Sequence, residues 1–243
     1  MAADPKVPVN QERGETAPAP SSSAEVSAFL DQVKARVPAI SGQGRLIFAM
    51  DATMSRQSSW DMALELQGDM FRAVKEAGGL DVQLVYFRGF NECRASKWVR
   101  DPDALARLMR QVSCQGGSTQ MGKVLAHARR ESEQAKVNAV VYVGDCMEEE
   151  LDELSARAGE LGLLGVPVFM FQEGDDPVAE NAYREIARLS HGAYCRFDTG
   201  AAHQLGELLR AVAAYAAGGI KALADLSARR SDGARKLLAQ LRA

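Results

Sequence analysis

Asp51, Thr53 and Ser55 follow the apolar run RLIFAM at alternate positions, so one carboxylate and two hydroxyls are laid down within five residues. Two further stretches carry oxygen of the same kind. In CQGGSTQMG a Gly-Gly turn precedes Ser118 and Thr119, and the apolar run VVYVGD ends on Asp145. An acid at the C-terminal end of a buried strand stands where open α/β sheets bind ligands. If the three loops meet above a sheet, they bring together carboxylates and hydroxyls only. Such an all-oxygen set suits a hard divalent cation, Mg²⁺ first, with Mn²⁺ or Ca²⁺ as alternatives. Zinc is disfavoured, because Cys93, Cys114, Cys146 and Cys195 form no C-x-x-C pair, and His127, His191 and His203 lack a ligand partner at metal spacing. Neutral hydroxyl ligands, with the carboxylates held back, leave a cation receptive to an outside carboxylate. That is chemistry for binding and not for cleavage.

The elements that would position these residues alternate regularly. RLIFAM reads as a strand, SWDMALELQGDMFRAVKEAGG as an amphipathic helix stopped by Gly78 and Gly79, and DVQLVYFRG as a second strand. SKWVR, polar at alternate positions, reads as a short edge strand, and Asp101 with Pro102 as the start of a helix. Beyond the Gly-Gly turn come a helix from Thr119, the strand NAVVYVGD, the helix EEELDELSARAGELG and the strand VPVFMFQ. The helix NAYREIARLSH, the strand AYCRF and the helix AAHQLGELLRAVAAYAA complete the series. Alternation with continuous apolar strands predicts an α/β fold: a three-layer, doubly wound, Rossmann-like and mostly parallel six-stranded sheet with one short antiparallel edge strand and helices on both faces.

The 243 residues, 47% of them hydrophobic, suffice for one such domain, expected over residues 42–217. Residues 1–23, rich in Pro, Ala and Ser, are expected to be a disordered arm, and 24–41 a helix and linker. Residues 218–243 hold six basic against two acidic side chains and read as a basic helical tail with Leu237, Leu238 and Leu241 on one face. The overall charge of −3 therefore hides a more acidic body, which argues against nucleic acid as a partner. No export signal or membrane-spanning run is evident, so a cytoplasmic, monomeric protein with reduced thiols is expected.

These residues carry a resemblance. Asp51-x-Thr53-x-Ser55, Thr119 after Gly116-Gly117 with Gly122 at the family's interval, and strand-ending Asp145 are similar to the metal-ion-dependent adhesion site of von Willebrand factor A domains. Thr53 stands where the family has a serine, Ser118 puts a second hydroxyl beside Thr119, and Cys146 replaces the usual glycine after Asp145. The resemblance implies Asp51, Thr53, Ser55, Thr119 and Asp145 as the metal set, with no catalytic residue. It further implies a non-enzymatic module whose Mg²⁺ bridges to an Asp or Glu of a partner protein. Two other readings compete. A haloacid dehalogenase-like, Mg²⁺-dependent phosphatase would also place an acid after the first strand, but would want a second acid where Thr53 stands. A metal-free scaffold of the same fold is the other. The acids Glu148, Glu149, Glu150, Asp152 and Glu153 read most simply as the first turns of a helix, where they suit the macrodipole. Trp60 is expected to pack beneath the metal loop, and Cys114 and Cys146 as small core residues at the rim.

Overall fold

The computed structural model describes residues 44–74, 79–198, 201–229 and 231–241. The expected arm, the helix and linker up to residue 41, and the helix stop at Gly78 lie outside the described residues. The chain runs β1 (Gly44–Asp51), a 3₁₀ turn (Met54–Arg56), α1 (Gln57–Val74), β2 (Leu80–Arg88), β3 (Glu92–Ala95), α2 (Pro102–Arg110) and α3 (Met121–Gln134). It continues through β4 (Ala139–Gly144), α4 (Leu151–Leu163), β5 (Val168–Glu173), α5 (Pro177–Leu189), β6 (Ala193–Phe197), α6 (Ala202–Ala228) and α7 (Asp232–Leu241).

The strands form one six-stranded sheet in the order β3-β2-β1-β4-β5-β6, parallel throughout except for β3. The period-two pleat divides the core into two layers. Leu46, Phe48 and Met50 of β1 pack with α1, α2, α6 and α7, while Ile47 and Ala49 pack with α3, α4 and α5. Because β1, β4 and β5 are buried on both faces, their sequences are apolar without alternation, as a parallel sheet covered on both sides requires.

The sheet edge differs from expectation. The edge strand is Glu92–Ala95 and not SKWVR, since the chain reverses at once through Gly89 and pairs Arg88 with Glu92 and Val85 with Ala95. A short hairpin closes at less entropic cost than a longer loop, so the nearer segment takes the edge. Beyond it, Ser96 N–H donates to Leu84 O at 2.8 Å, and Val99 forms an isolated bridge with Val82 in which each N–H donates to the other's carbonyl at 2.8 Å. The expected start of α2 is found, with the Asp101 carboxylate accepting from the Asp103 and Ala104 N–H groups.

At the other end α6 runs on past residue 217 with a kink at Gly219 (φ 65°). From α7, Leu237 is fully buried against the core, with Leu238 and Leu241 packed around it. Gln240 caps the free edge of β6: its Oε1 accepts from Tyr194 N and its Nε2 donates to Tyr194 O, each at 2.8 Å. An exposed strand edge is a template for unwanted pairing, and this side chain occupies it as a neighbouring strand would. No helix among the described residues is long and apolar enough to cross a membrane.

Candidate metal centre

Met50 on β1 is level with Val143 on β4, and Gly144 with Gln172 on β5. The register therefore brings Asp51, Asp145 and Glu173 out at one edge of the sheet, at the carboxyl ends of three adjacent parallel strands. Asp51 is buried, and one of its oxygens, Oδ1, accepts from Thr53 N–H at 2.7 Å, which turns the chain back over the strand end. Thr53 Oγ1 lies 3.4 Å from Ser55 Oγ, and Ser55 Oγ donates to Asp145 Oδ2 at 3.1 Å. Four of the five residues expected to hold metal thus form one connected cluster.

Thr119 joins it less directly. Its N–H donates to Glu148 Oε2 at 2.9 Å and its Oγ1 accepts from Glu148 N–H at 3.2 Å, a reciprocal pair that ties the Gly-Gly loop to the loop after Asp145. Thr119 is buried while Ser118 is only half-buried and spends its N–H on Gly89 O at 3.1 Å, so Thr119 is the hydroxyl turned inward. The approach of the two loops depends on Gly117, where a Cβ would stand 2.1 Å from Gly89 O.

Two carboxylates face one another at this rim. Asp51 Oδ2 and Asp145 Oδ1 are buried with no donor at good hydrogen-bond geometry among the described residues, the Cys146 thiol beside Asp145 being a weak donor at best. Burial, above all, raises the Asp51 carboxyl from its ordinary 3.8 to about 6, and the charge of Asp145 adds to this against the opposing bonds from Thr53. An oxygen from each carboxylate and Cys146 Sγ lie within 4.8 Å of one another. The thiol is a poor third ligand for a hard ion: burial, then the charge of Asp145, pushes it up to about 12, and it stays protonated at neutral pH. Cys114, at about 11 mainly through burial, is equally unreactive. The two orphaned carboxylate oxygens beside two hydroxyls fit an oxygen-seeking divalent ion.

Three solved structures share this architecture. The SpRpn10 VWA domain is 11% identical with a TM-score of 0.55, over 71% of this chain and 94% of that one. The vWF domain of the type V pili tip protein Mfa5 from Porphyromonas gingivalis is 10% identical with a TM-score of 0.55, over the same shares. The chain has the von Willebrand factor A fold. An aerotolerance-related membrane protein from Bacteroides fragilis NCTC 9343, 18% identical, matches over 68% of this chain and 96% of that one with a TM-score of 0.52. No family model matches the sequence, and no curated protein matches it.

Within this A-type fold the rim holds a second layer of charge that sequence reasoning missed. Arg56, buried, sets Nη2 2.5 Å from Glu173 Oε2 and Nη1 3.6 Å from Asp145 Oδ2, and Ser59 Oγ donates to Glu173 Oε2. A visible signal existed: Glu173 is an acid ending the apolar run VFMFQ, as Asp51 and Asp145 end theirs. The acidic run after Asp145 also acts differently from expectation. Helix α4 begins at Leu151 with only Asp152 and Glu153 in its first turn. Glu148 goes to Thr119, while Glu149 accepts from Met121 N–H and, at 2.9 Å, from Gly122 N–H. Glu149 therefore satisfies the open donors at the start of α3, a neighbouring helix, because the loop is long enough to reach it. Trp60 is buried under the loop, its Nε1–H donating to Met109 O at 3.1 Å and its ring edge-on to Tyr86.

Proposed function

We propose that this protein is a non-enzymatic, Mg²⁺-dependent protein-binding module acting in the cytoplasm. The observation that carries the reading is the pair of buried, donor-less oxygens, Asp51 Oδ2 and Asp145 Oδ1, beside Ser55 and Thr53. Leaving such oxygens unmatched in a low-dielectric site costs several kcal/mol by order of magnitude, and a divalent ion offsets that cost. Asp51, Thr53, Ser55, Thr119 and Asp145 would hold it, Mn²⁺ or Ca²⁺ serving as substitutes. When bound, the ion supplies a Lewis-acidic position for a carboxylate of a partner protein. The chain's own residues do the rest: Thr53 N–H fixes the Asp51 carboxylate, Arg56 and Ser55 orient Asp145, and Glu148 holds Thr119 at the rim. Four cysteines without disulfides support the reducing compartment.

The metal-free scaffold draws on one observation, the Arg56 guanidinium beside Asp145. Arg56 reaches Oδ2 only, and Asp51 Oδ2 and Asp145 Oδ1 keep no donor. The metal reading accounts for both. The phosphatase reading wants an acid at Thr53, whose side chain instead faces Ser55. Assayed with p-nitrophenyl phosphate and Mg²⁺, the protein is expected to show no turnover. Hydrolysis that disappears in Asp51→Asn would make it an enzyme.

Thr119→Ala tests the binding reading directly. Partners captured from the source cell by the full chain are expected to be lost on chelation, recovered with Mg²⁺ or Mn²⁺, and weakened at least tenfold, about 1.4 kcal/mol, by the substitution. Ser118→Ala should change little. A specific partner indifferent to both chelator and Thr119→Ala would remove the bridge from the account.

A further inference from the structure

Away from the metal rim, β3, α3 and α4 flank a hollow of about 330 Å³, open to solvent and lined by Arg94, Lys123, His127, Arg130 and Arg157, with no Asp or Glu in its lining. In a chain of net charge −3 this is a concentration of one sign from three separate elements. His127 bonds Gln83 Oε1 at 2.8 Å, lies 3.9 Å from Glu131 and is held below its ordinary pKa by burial, so the positive charge rests on the other four side chains, and much of it is not matched internally. Arg94 is engaged by Glu92 at 2.6 Å, but the Lys123 ammonium meets only neutral oxygens, Gln120 Oε1 at 2.8 Å and Asn91 O at 3.3 Å among them. Arg130 and Arg157 make no ion pair among the described residues. Glu149, near Arg157 across Gly122, is already committed to the N–H groups of Met121 and Gly122. Beyond the two guanidiniums a neighbouring hollow brings in Glu153 and Glu160, the latter 3.5 Å from Arg129. The floor, Val85 and Ala126, is apolar.

We propose that this cavity is a second binding site, for a small soluble compound carrying two linked phosphoryl groups. Guanidinium forks match the oxygens of a phosphoryl group in pairs, and a lysine adds a point charge to them. Three unmatched cations ask for comparable negative charge in a compact group, which a diphosphate supplies and a single carboxylate does not. The volume of the hollow is that of small-molecule sites and too small for a folded partner. The site is independent of the metal rim, and its occupancy does not require the proposed bridge.

Isothermal titration of inorganic pyrophosphate into the full chain tests this, in EDTA to remove metal and at physiological ionic strength so that non-specific charge attraction is screened out. Saturable one-to-one binding is expected, weakened at least tenfold by Arg130→Gln and by Arg157→Gln, and unchanged by Asp145→Asn. Both arginines are solvent-accessible and, among the described residues, outside any ion pair, so the variants should keep the wild-type circular dichroism. Absence of saturable binding at millimolar pyrophosphate would overturn the proposal. So would binding that both variants leave intact, or that an equal ionic strength of sulfate reproduces.

Discussion

Arg56→Met is expected to lower the unfolding free energy by about 3 to 5 kcal/mol, the usual cost of breaking a buried ion pair from one side. Arg56 and Glu173 each expose about 3% of their side chains. Removing the guanidinium leaves Glu173 buried with Ser59 Oγ as its remaining donor and takes away the charge facing Asp145. Urea unfolding should show a lower midpoint at unchanged slope. A loss below about 1 kcal/mol would mean that the pair is hydrated in solution, at odds with its burial. Arg56→Met also separates the two readings of the rim: it removes the charge that the scaffold reading sets against Asp145, whereas under the metal reading Asp51, Ser55 and Asp145 should still take up a cation, with Ser55 left to orient Asp145.

The second large effect concerns Asp51 and pH. Its carboxyl titrates at about 6 in the fold against an ordinary 3.8, so the folded protein binds this proton more tightly than the unfolded chain does. The stabilisation from that proton is complete below about 3.8 and is lost as pH rises through about 6, a change on the order of 3 kcal/mol. In chelator, Asp51→Asn should therefore melt higher than the wild type at pH 7 and close to it at pH 4. Mg²⁺ should raise the wild-type melting temperature at pH 7, do so far less at pH 5 where the proton competes, and leave Asp51→Asn unmoved. A wild-type curve in chelator that is flat between pH 4 and 7 would show that the carboxylate is solvated.

Much of this was legible in the sequence for reasons that can be named. The continuous apolar runs of β1, β4 and β5 admit only a covered parallel sheet, and each ends on an acid at the same edge. SKWVR has the better alternation and so draws the edge-strand expectation, whereas the pairing of ECRA rests on hairpin closure at Gly89, which alternation does not encode. Arg56 stood in plain view beside Ser55, but its role depends on Glu173, which lies far along the chain and meets it only when β5 takes its place beside β4. Glu148 and Glu149 were assigned to their own helix because local electrostatics favours that. The fold instead uses them to bind the loop and helix start of Thr119, Met121 and Gly122, a non-local demand that spacing along the chain does not reveal.

Asp51 and Asp145 are proposed to hold a divalent ion. Water-proton relaxation during Mn²⁺ titration of the chelator-stripped full chain measures this without a partner. One Mn²⁺ per chain is predicted, displaced by Mg²⁺, with binding lost in Asp51→Asn and in Asp145→Asn and retained in Arg130→Gln. Mn²⁺ binding that neither aspartate variant diminishes, or no saturable binding at pH 7, would contradict the account.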